Sequence, residues 1–290
     1  MAIGGSRKKP LWRRLWPGLA LLALALSAPS PARGNDPGEK LNAEGLVYFN
    51  NQQYDQAIEK YTEALRADPG NVKALNNRGV AFTDTDQIDR AIPDFDAAIR
   101  IDPGFALPYY NRGRAELFRH ENQLAIRDFD AALRLTPTYA QAFNNRGVAW
   151  FNLGQLQRAL ADHTRAIELD PRQGEFFVTR CMDNVALGSL DAAMRDCNQS
   201  VRLRPGNAQS LDGRGIVYLK LKQPRDAIAD FDDVLRLNPG QPIALYGRGI
   251  AFSMSAGGEA DALKDIRTAE RNEPDVGRLF EALGLPRPRV

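Results

Sequence analysis

Cys181, Cys197, His120 and His163 are the whole cysteine and histidine complement of this 290-residue chain, and they limit its chemistry. A metal site needs three or four ligands at coordinating spacing, and neither histidine has a second ligand placed that way. The two cysteines are too far apart for a CxxC redox pair. Gly213-Arg214-Gly215 and Gly247-Arg248-Gly249 look like fragments of a dinucleotide loop, but they follow no predicted strand and lack the third glycine. No GxSxG, HExxH or phosphate loop occurs. Asn198-Gln199-Ser200 is a formal glycosylation triplet inside a predicted helix and is set aside. The sequence therefore offers no catalytic residues, no metal ligands and no cofactor site.

What it offers instead is a period. Gly79 stands between Leu75 and Phe82 at helical spacing, a polar turn follows at 84–89, and Ala91, Phe95 and Ala98 mark a second helix closed by Pro103. This skeleton returns every 34 residues. With Gly38 as position 1, prolines fall at position 32 as Pro69, Pro103, Pro137, Pro171, Pro205 and Pro239, and Pro274 arrives one residue late because the last unit carries an extra turn residue near 255–258. Position 8 is Gly45, Gly79, Gly113, Gly147, Cys181, Gly215 and Gly249. Position 20 is alanine from Ala57 to Ala227, with Ala262 at the shifted place. Position 24 is Tyr61, Phe95, Phe129 and Phe231, with His163, Cys197 and Ile266 as exceptions.

Helix packing gives this spacing a physical reason. Small residues at positions 8 and 20 let two antiparallel helices approach closely, and bulky residues at 4, 11 and 24 fill the remaining space. A lone hairpin cannot bury its second face, so each unit needs neighbours. The units are 38–71, 72–105, 106–139, 140–173, 174–207, 208–241 and 242–276. A further helix over 275–284 carries the apolar stripe Val276, Leu279, Phe280 and Leu283 and closes the stack, leaving 285–290 as a frayed tail.

The pattern resembles the tetratricopeptide repeat family over residues 38–276. That resemblance implies an all-α fold: a right-handed α-solenoid of seven two-helix repeats plus the capping helix. It also implies an inner groove lined by positions 2, 5, 6, 9, 12 and 13 of each first helix. Position 6 of repeats two to four is Asn77, Asn111 and Asn145, with Asn76 and Asn144 beside them at position 5. This looks like the asparagine ladder by which the O-linked N-acetylglucosamine transferase member holds an extended peptide, since one amide both donates and accepts. The same asparagines would also suit a helix surface with no ligand. Tyr110, Arg114, Phe118 and Phe151 complete the expected peptide-binding groove. The lysine and asparagine that chaperone-binding members carry at positions 5 and 9 are replaced, for instance by Asn76 and Val80, so that mode of binding an acidic tail is not expected. If the asparagines only face the groove, alanine at 77, 111 and 145 should leave the thermal transition nearly unchanged.

Two pairings are readable inside the one sequence. Position 7 is arginine in repeats two to seven (Arg78, Arg112, Arg146, Arg180, Arg214, Arg248), and position 23 of the same repeats is aspartate (Asp94, Asp128, Asp162, Asp196, Asp230, Asp265). Repeat one inverts both signs with Glu44 and Lys60, so an ion pair between the two helices of each repeat is expected. Cys181 and Cys197 occupy positions 8 and 24 of one repeat, where a glycine and usually a ring meet elsewhere. In an exported protein this double replacement points to a disulfide between the paired helices, with two buried free thiols as the alternative.

The N-terminus reads as a targeting segment. Arg7, Lys8, Lys9, Arg13 and Arg14 precede the apolar run Leu15 to Ala28, and Ser30-Pro31-Ala32 offers a small-x-small cleavage site after Ala32. Residues 1–32 are thus expected to be a cleaved signal peptide and 33–37 a disordered leader, giving a periplasmic or secreted protein without a stable membrane anchor. Removing these five cations from a net charge of +2 leaves −3, which argues against nucleic-acid binding. The expected partner is a peptide or protein. The expected role is a non-enzymatic interaction scaffold, with regulation of a cell-envelope enzyme complex as the alternative.

Overall fold

The computed structural model describes residues 36–285 and 287, and among them there are fifteen α-helices and no strands. The expected signal peptide (1–32), residues 33–35 of the leader, and residues 286 and 288–290 of the tail lie outside the described residues. The helices are α1 Pro37–Asn50, α2 Tyr54–Ala67, α3 Val72–Asp84, α4 Ile88–Ile101, α5 Ala106–Phe118, α6 Asn122–Leu135, α7 Ala140–Asn152, α8 Leu156–Leu169, α9 Gly174–Ala186, α10 Leu190–Leu203, α11 Ala208–Lys220, α12 Pro224–Leu237, α13 Pro242–Ser253, α14 Glu259–Asn272 and α15 Val276–Ala282. They form an all-α solenoid of helical hairpins followed by α15. None of the described helices is long and apolar enough to cross a membrane. Two boundaries differ from the sequence reading. Pro37 already opens α1, with Asp36 accepting a hydrogen bond from the Gly38 N–H as its cap at 2.9 Å. Leu285, expected in the tail, is buried and donates its N–H to the Phe280 carbonyl at 2.8 Å.

The chain divides into two compact units, with the break at 149/150 inside α7. In the unit ending at residue 149, each hairpin closes through its glycine. A Cβ placed on Gly45 would lie 2.5 Å from the Tyr61 ring, one on Gly79 2.6 Å from Phe95, and one on Gly113 2.9 Å from Phe129. Real Cβ contacts do not come that close, so the rings rest on bare backbone. In the unit beginning at residue 150, Gly215 meets Phe231 and Gly249 meets Ile266 in the same way, both at 2.7 Å.

The turn inside every hairpin uses a left-handed residue at position 15: Gln52, Asp86, His120, Gly154, Gly188, Lys222 and, after the extra residue, Gly257. His120 thus ends a helix in a conformation that costs a non-glycine residue roughly 1 kcal/mol.

The expected ion pairs form in repeats two, three, five, six and seven, and they do more than join two helices. Nε and Nη2 of Arg78, Arg112, Arg180, Arg214 and Arg248 bond both oxygens of Asp94, Asp128, Asp196, Asp230 and Asp265 at 2.6–3.0 Å. Lys60 lies 3.7 Å from Glu44 in the inverted first repeat. Nη1 of the same arginines then turns back to position 25 of the preceding repeat: Arg78 to Thr62, Arg112 to Asp96, Arg180 to Thr164, Arg214 to Asn198 and Arg248 to Asp232. Arg146 makes this backward bond to Asp130 at 2.6 Å. One guanidinium therefore clamps three helices. Burial raises the Asp128 carboxyl while Arg112 pulls it down, and the same hydrogen bond raises the Arg112 guanidinium; the two partners bear on stability in opposite directions, so the clamp is read as a device that sets register.

Cys181 and Cys197 are disulfide-bonded with a Cα–Cα distance of 5.6 Å, and both are fully buried. The bridge stands where other repeats press a ring onto glycine. Breaking the bridge with Cys181→Ala/Cys197→Ala should cost roughly 3 kcal/mol in the chain-entropy model and lower Tm by about 6–12 °C. Matching calorimetric transitions for variant and parent would show that the bridge contributes nothing.

Candidate functional site

The first helices α3, α5 and α7 carry the asparagines, and their placement corrects the sequence reading. Asn76, Asn77, Asn111, Asn144 and Asn145 are at most 2% exposed, so in this structure their amides meet one another and neighbouring repeats instead of solvent. The Nδ2 of each position-6 asparagine donates to position 5 of the repeat before it: Asn77 to Asn42 at 3.1 Å, Asn111 to Asn76 at 2.9 Å, and Asn145 to the Tyr110 hydroxyl at 3.0 Å. Asn76 and Asn144 also donate to Asn77 and Asn145 beside them. The ladder exists, but it runs from repeat to repeat. Its physical cause is the helix spacing: adjacent first helices stand close enough for one short amide to span them, and a buried amide must find a partner. Alanine at 77, 111 and 145 therefore removes inter-repeat bonds and should lower stability, contrary to the expectation of an unchanged transition.

The other expected site residues separate. Tyr110 is buried, its ring 4.7 Å from Tyr139 and 5.9 Å from Phe129. Arg114 is buried beside it, its guanidinium carbon 6.0 Å from the Tyr110 ring centroid. Phe118 ends α5 half-buried. Phe151 is half-buried near the end of α7, beyond the break between units, and is not grouped with the rest. The candidate site is thus a polar seam on α3, α5 and the first part of α7, with Tyr110 and Arg114 at its middle.

Two buried acids went unread. Asp183, on α9, has Oδ2 2.5 Å from His163 Nδ1 on α8, with both residues fully buried, and burial raises its carboxyl. Comparison within the sequence contains the signal, because position 10 is acidic only in repeat five, directly after the one repeat with histidine at position 24. Asp212 is buried at position 5 of repeat six, and no partner meets its Oδ1. Among the described residues no cluster of histidine, cysteine, aspartate and glutamate could hold a metal ion.

Two family models, both described as tetratricopeptide repeat, match residues 42–104 with 213–257 and residues 140–173. No curated protein matches the chain. Solved structures resemble it over up to 87% of its length. A tetratricopeptide repeat protein from Parabacteroides merdae superposes with a TM-score of 0.67 at 19% identity, covering 87% of this chain and 99% of its own. The Cut9–Hcn1 hetero-tetramer structure gives 0.70 at 22% identity over 76% of this chain, which spans 44% of that chain's length. YrrB, titled a TPR protein with an unusual peptide-binding site, gives 0.50 at 23% identity over 65% of this chain and 97% of its own. At these identities the likeness concerns the fold alone.

Proposed function

This chain is a tetratricopeptide repeat protein, and we propose that it is an exported, non-catalytic scaffold that binds an extended peptide segment of a partner along the seam of α3, α5 and α7. The observation that carries the reading is buried polarity on one layer of helices. A solenoid needs apolar contacts to stack, and replacing buried polar groups by well-packed apolar ones is often neutral or stabilising. Five asparagines and one arginine are nonetheless buried on these first helices. Asn77 and Asn145 each donate across a repeat junction and accept from the asparagine beside them, so their amides are held in fixed orientations. The ladder pre-orients the amides in a row at the spacing of successive repeats. YrrB, with its peptide-binding site, supports the general mode and nothing finer.

Export is supported by the basic start and apolar run of the first 32 residues and by the buried Cys181–Cys197 bridge, because disulfides persist in oxidising compartments.

The test selects a phage-displayed library of random dodecapeptides on the full chain and measures the recovered peptides by fluorescence polarisation. Asn77→Ala/Asn111→Ala/Asn145→Ala should weaken them at least about 10-fold, the worth of one or two hydrogen bonds. The same variant should lose about 2–4 kcal/mol of stability in urea, from three buried amides at about 1 kcal/mol each. Binding is therefore compared at a temperature where circular dichroism shows both proteins folded. Peptides that hold the triple variant as tightly as the parent would move the binding face elsewhere.

A further inference from the structure

Arg114 breaks a rule that the other repeats keep. Position 9 is Leu46, Val80, Val148, Met182, Ile216 and Ile250 in the remaining six, so packing there asks only for an apolar side chain. Arg114 is 2% exposed, and neither its Nε nor its Nη2 has a hydrogen-bond partner. Two buried guanidinium donors without an acceptor are costly, and hairpin packing does not require them.

The chain itself shows what that edge of a guanidinium takes. Nε and Nη2 of Arg78, Arg112, Arg180, Arg214 and Arg248 each receive the two oxygens of one aspartate side-on. Arg114 presents the same two donors, and no side chain answers. Glu116 is not the missing partner. Two residues on, it projects from the other side of α5, toward the field of Asp128, Arg112, Glu121 and Arg119. Tyr110 lies at the side of the guanidinium, and its ring packs on Tyr139, so an aromatic wall flanks the donors.

We propose that Arg114 is a carboxylate-binding residue that takes the side chain of an aspartate or glutamate in the bound peptide, both oxygens on Nε and Nη2. The inference rests on the peptide-binding reading above and names the ligand's chemistry. A side chain fits better than a peptide C-terminus because Arg114 belongs to repeat three, between the asparagines of repeats two and four. A peptide following the ladder continues to both sides of it.

The library test carries the answer when the dodecapeptides are fused to the coat protein through their C-termini, so that no terminal carboxylate is present. Selection on the parent should enrich aspartate or glutamate at one fixed place. Changing that acid to its amide in a synthetic peptide should weaken binding about 10- to 100-fold, the range of a charge-assisted pair. Arg114→Gln should lose the same factor and become indifferent to the amide change, while Arg114→Glu should turn the preference to lysine or arginine. The acid-to-amide comparison on the unaltered protein stands even where a variant unfolds. Peptides that depend on Asn77, Asn111 and Asn145 but show no acidic place, and bind Arg114→Gln equally, overturn the inference and leave the groove reading intact. Acidic peptides that bind only with a free C-terminus overturn the side-chain assignment. Failure to recover any peptide, or recovery of peptides indifferent to both sets of changes, defeats the groove reading and this inference with it.

Discussion

Replacing Phe231 by alanine is expected to cost about 3–5 kcal/mol. The ring is fully buried on α12 and is pressed from two sides by backbone. A Cβ on Gly215 of its own repeat would lie 2.7 Å from it, and one on Gly247 of the next repeat 2.4 Å. Alanine leaves a space walled on two sides by the backbone of Gly215 and Gly247, which have no side chains with which to fill it. The reverse change is informative as well. Gly247→Ala should gain about 0.5–1 kcal/mol of helix propensity and lose more than that to overpacking, because the new methyl meets a ring that cannot retreat. In a Phe231→Ala background the same methyl enters empty space, so Gly247→Ala should there become neutral or stabilising. A double-mutant cycle in urea should give a coupling of at least about 1 kcal/mol. Additive effects would mean that the ring does not hold these two repeats together.

That wedge shows what one sequence can disclose when it repeats itself. Glycine at position 8 with an aromatic ring at position 24 is four observations of one contact, and the sign inversion at Glu44 and Lys60 identifies Arg78 with Asp94 before any coordinate is known. The second half of the clamp was equally present and unread. Position 25 is Thr62, Asp96, Asp130, Thr164, Asn198 and Asp232 wherever another repeat follows, and Arg267 where none does. An acceptor kept only beside a following arginine is the mark of an inter-repeat bond.

Position 6 was misread for a different reason. Helical periodicity gives the direction of a side chain around its own axis, but how far the next helix stands is a tertiary fact. Gly213 and Gly247 occupy that same position, and the atoms nearest them belong to the preceding repeat: Val178 and Cys197 for the first, Phe231 for the second. Position 6 is therefore a contact between repeats in repeats two to four, six and seven. In repeats two to four it is filled by an amide. The left-handed turn was hidden more simply, because Gln52, Asp86, His120 and Lys222 are ordinary residues whose backbone alone is unusual.

The ladder also explains where charge was left stranded, and this leads to the second large expected effect. In the N-terminal unit each position-5 acceptor, Asn42, Asn76 or Tyr110, receives an amide from position 6 of the following repeat. Asp212 stands at the acceptor position of repeat six, but the following repeat offers Gly247, whose place the Phe231 ring has taken. Burial accordingly pushes the Asp212 carboxyl up to about 8; a hydrogen bond with Gln241 pulls it partly back, and the charge of Asp230 raises it further. The folded state thus keeps a proton that the unfolded chain releases near pH 4, so stability falls as pH rises from about 4 through 8 and stays low above that. Glu116, raised by burial to about 7, adds a similar slope that is complete before Asp212 has finished titrating. Asp212→Asn keeps the shape and removes the charge. Near pH 4.5 it should match the parent, and at pH 9 it should be more stable by on the order of 2–4 kcal/mol, with a correspondingly higher Tm. Glu116→Gln should flatten the profile only below about pH 8, which separates the two acids. Parallel stability profiles for the parent and Asp212→Asn between pH 7 and 9 would show that the carboxylate finds its compensation within the fold.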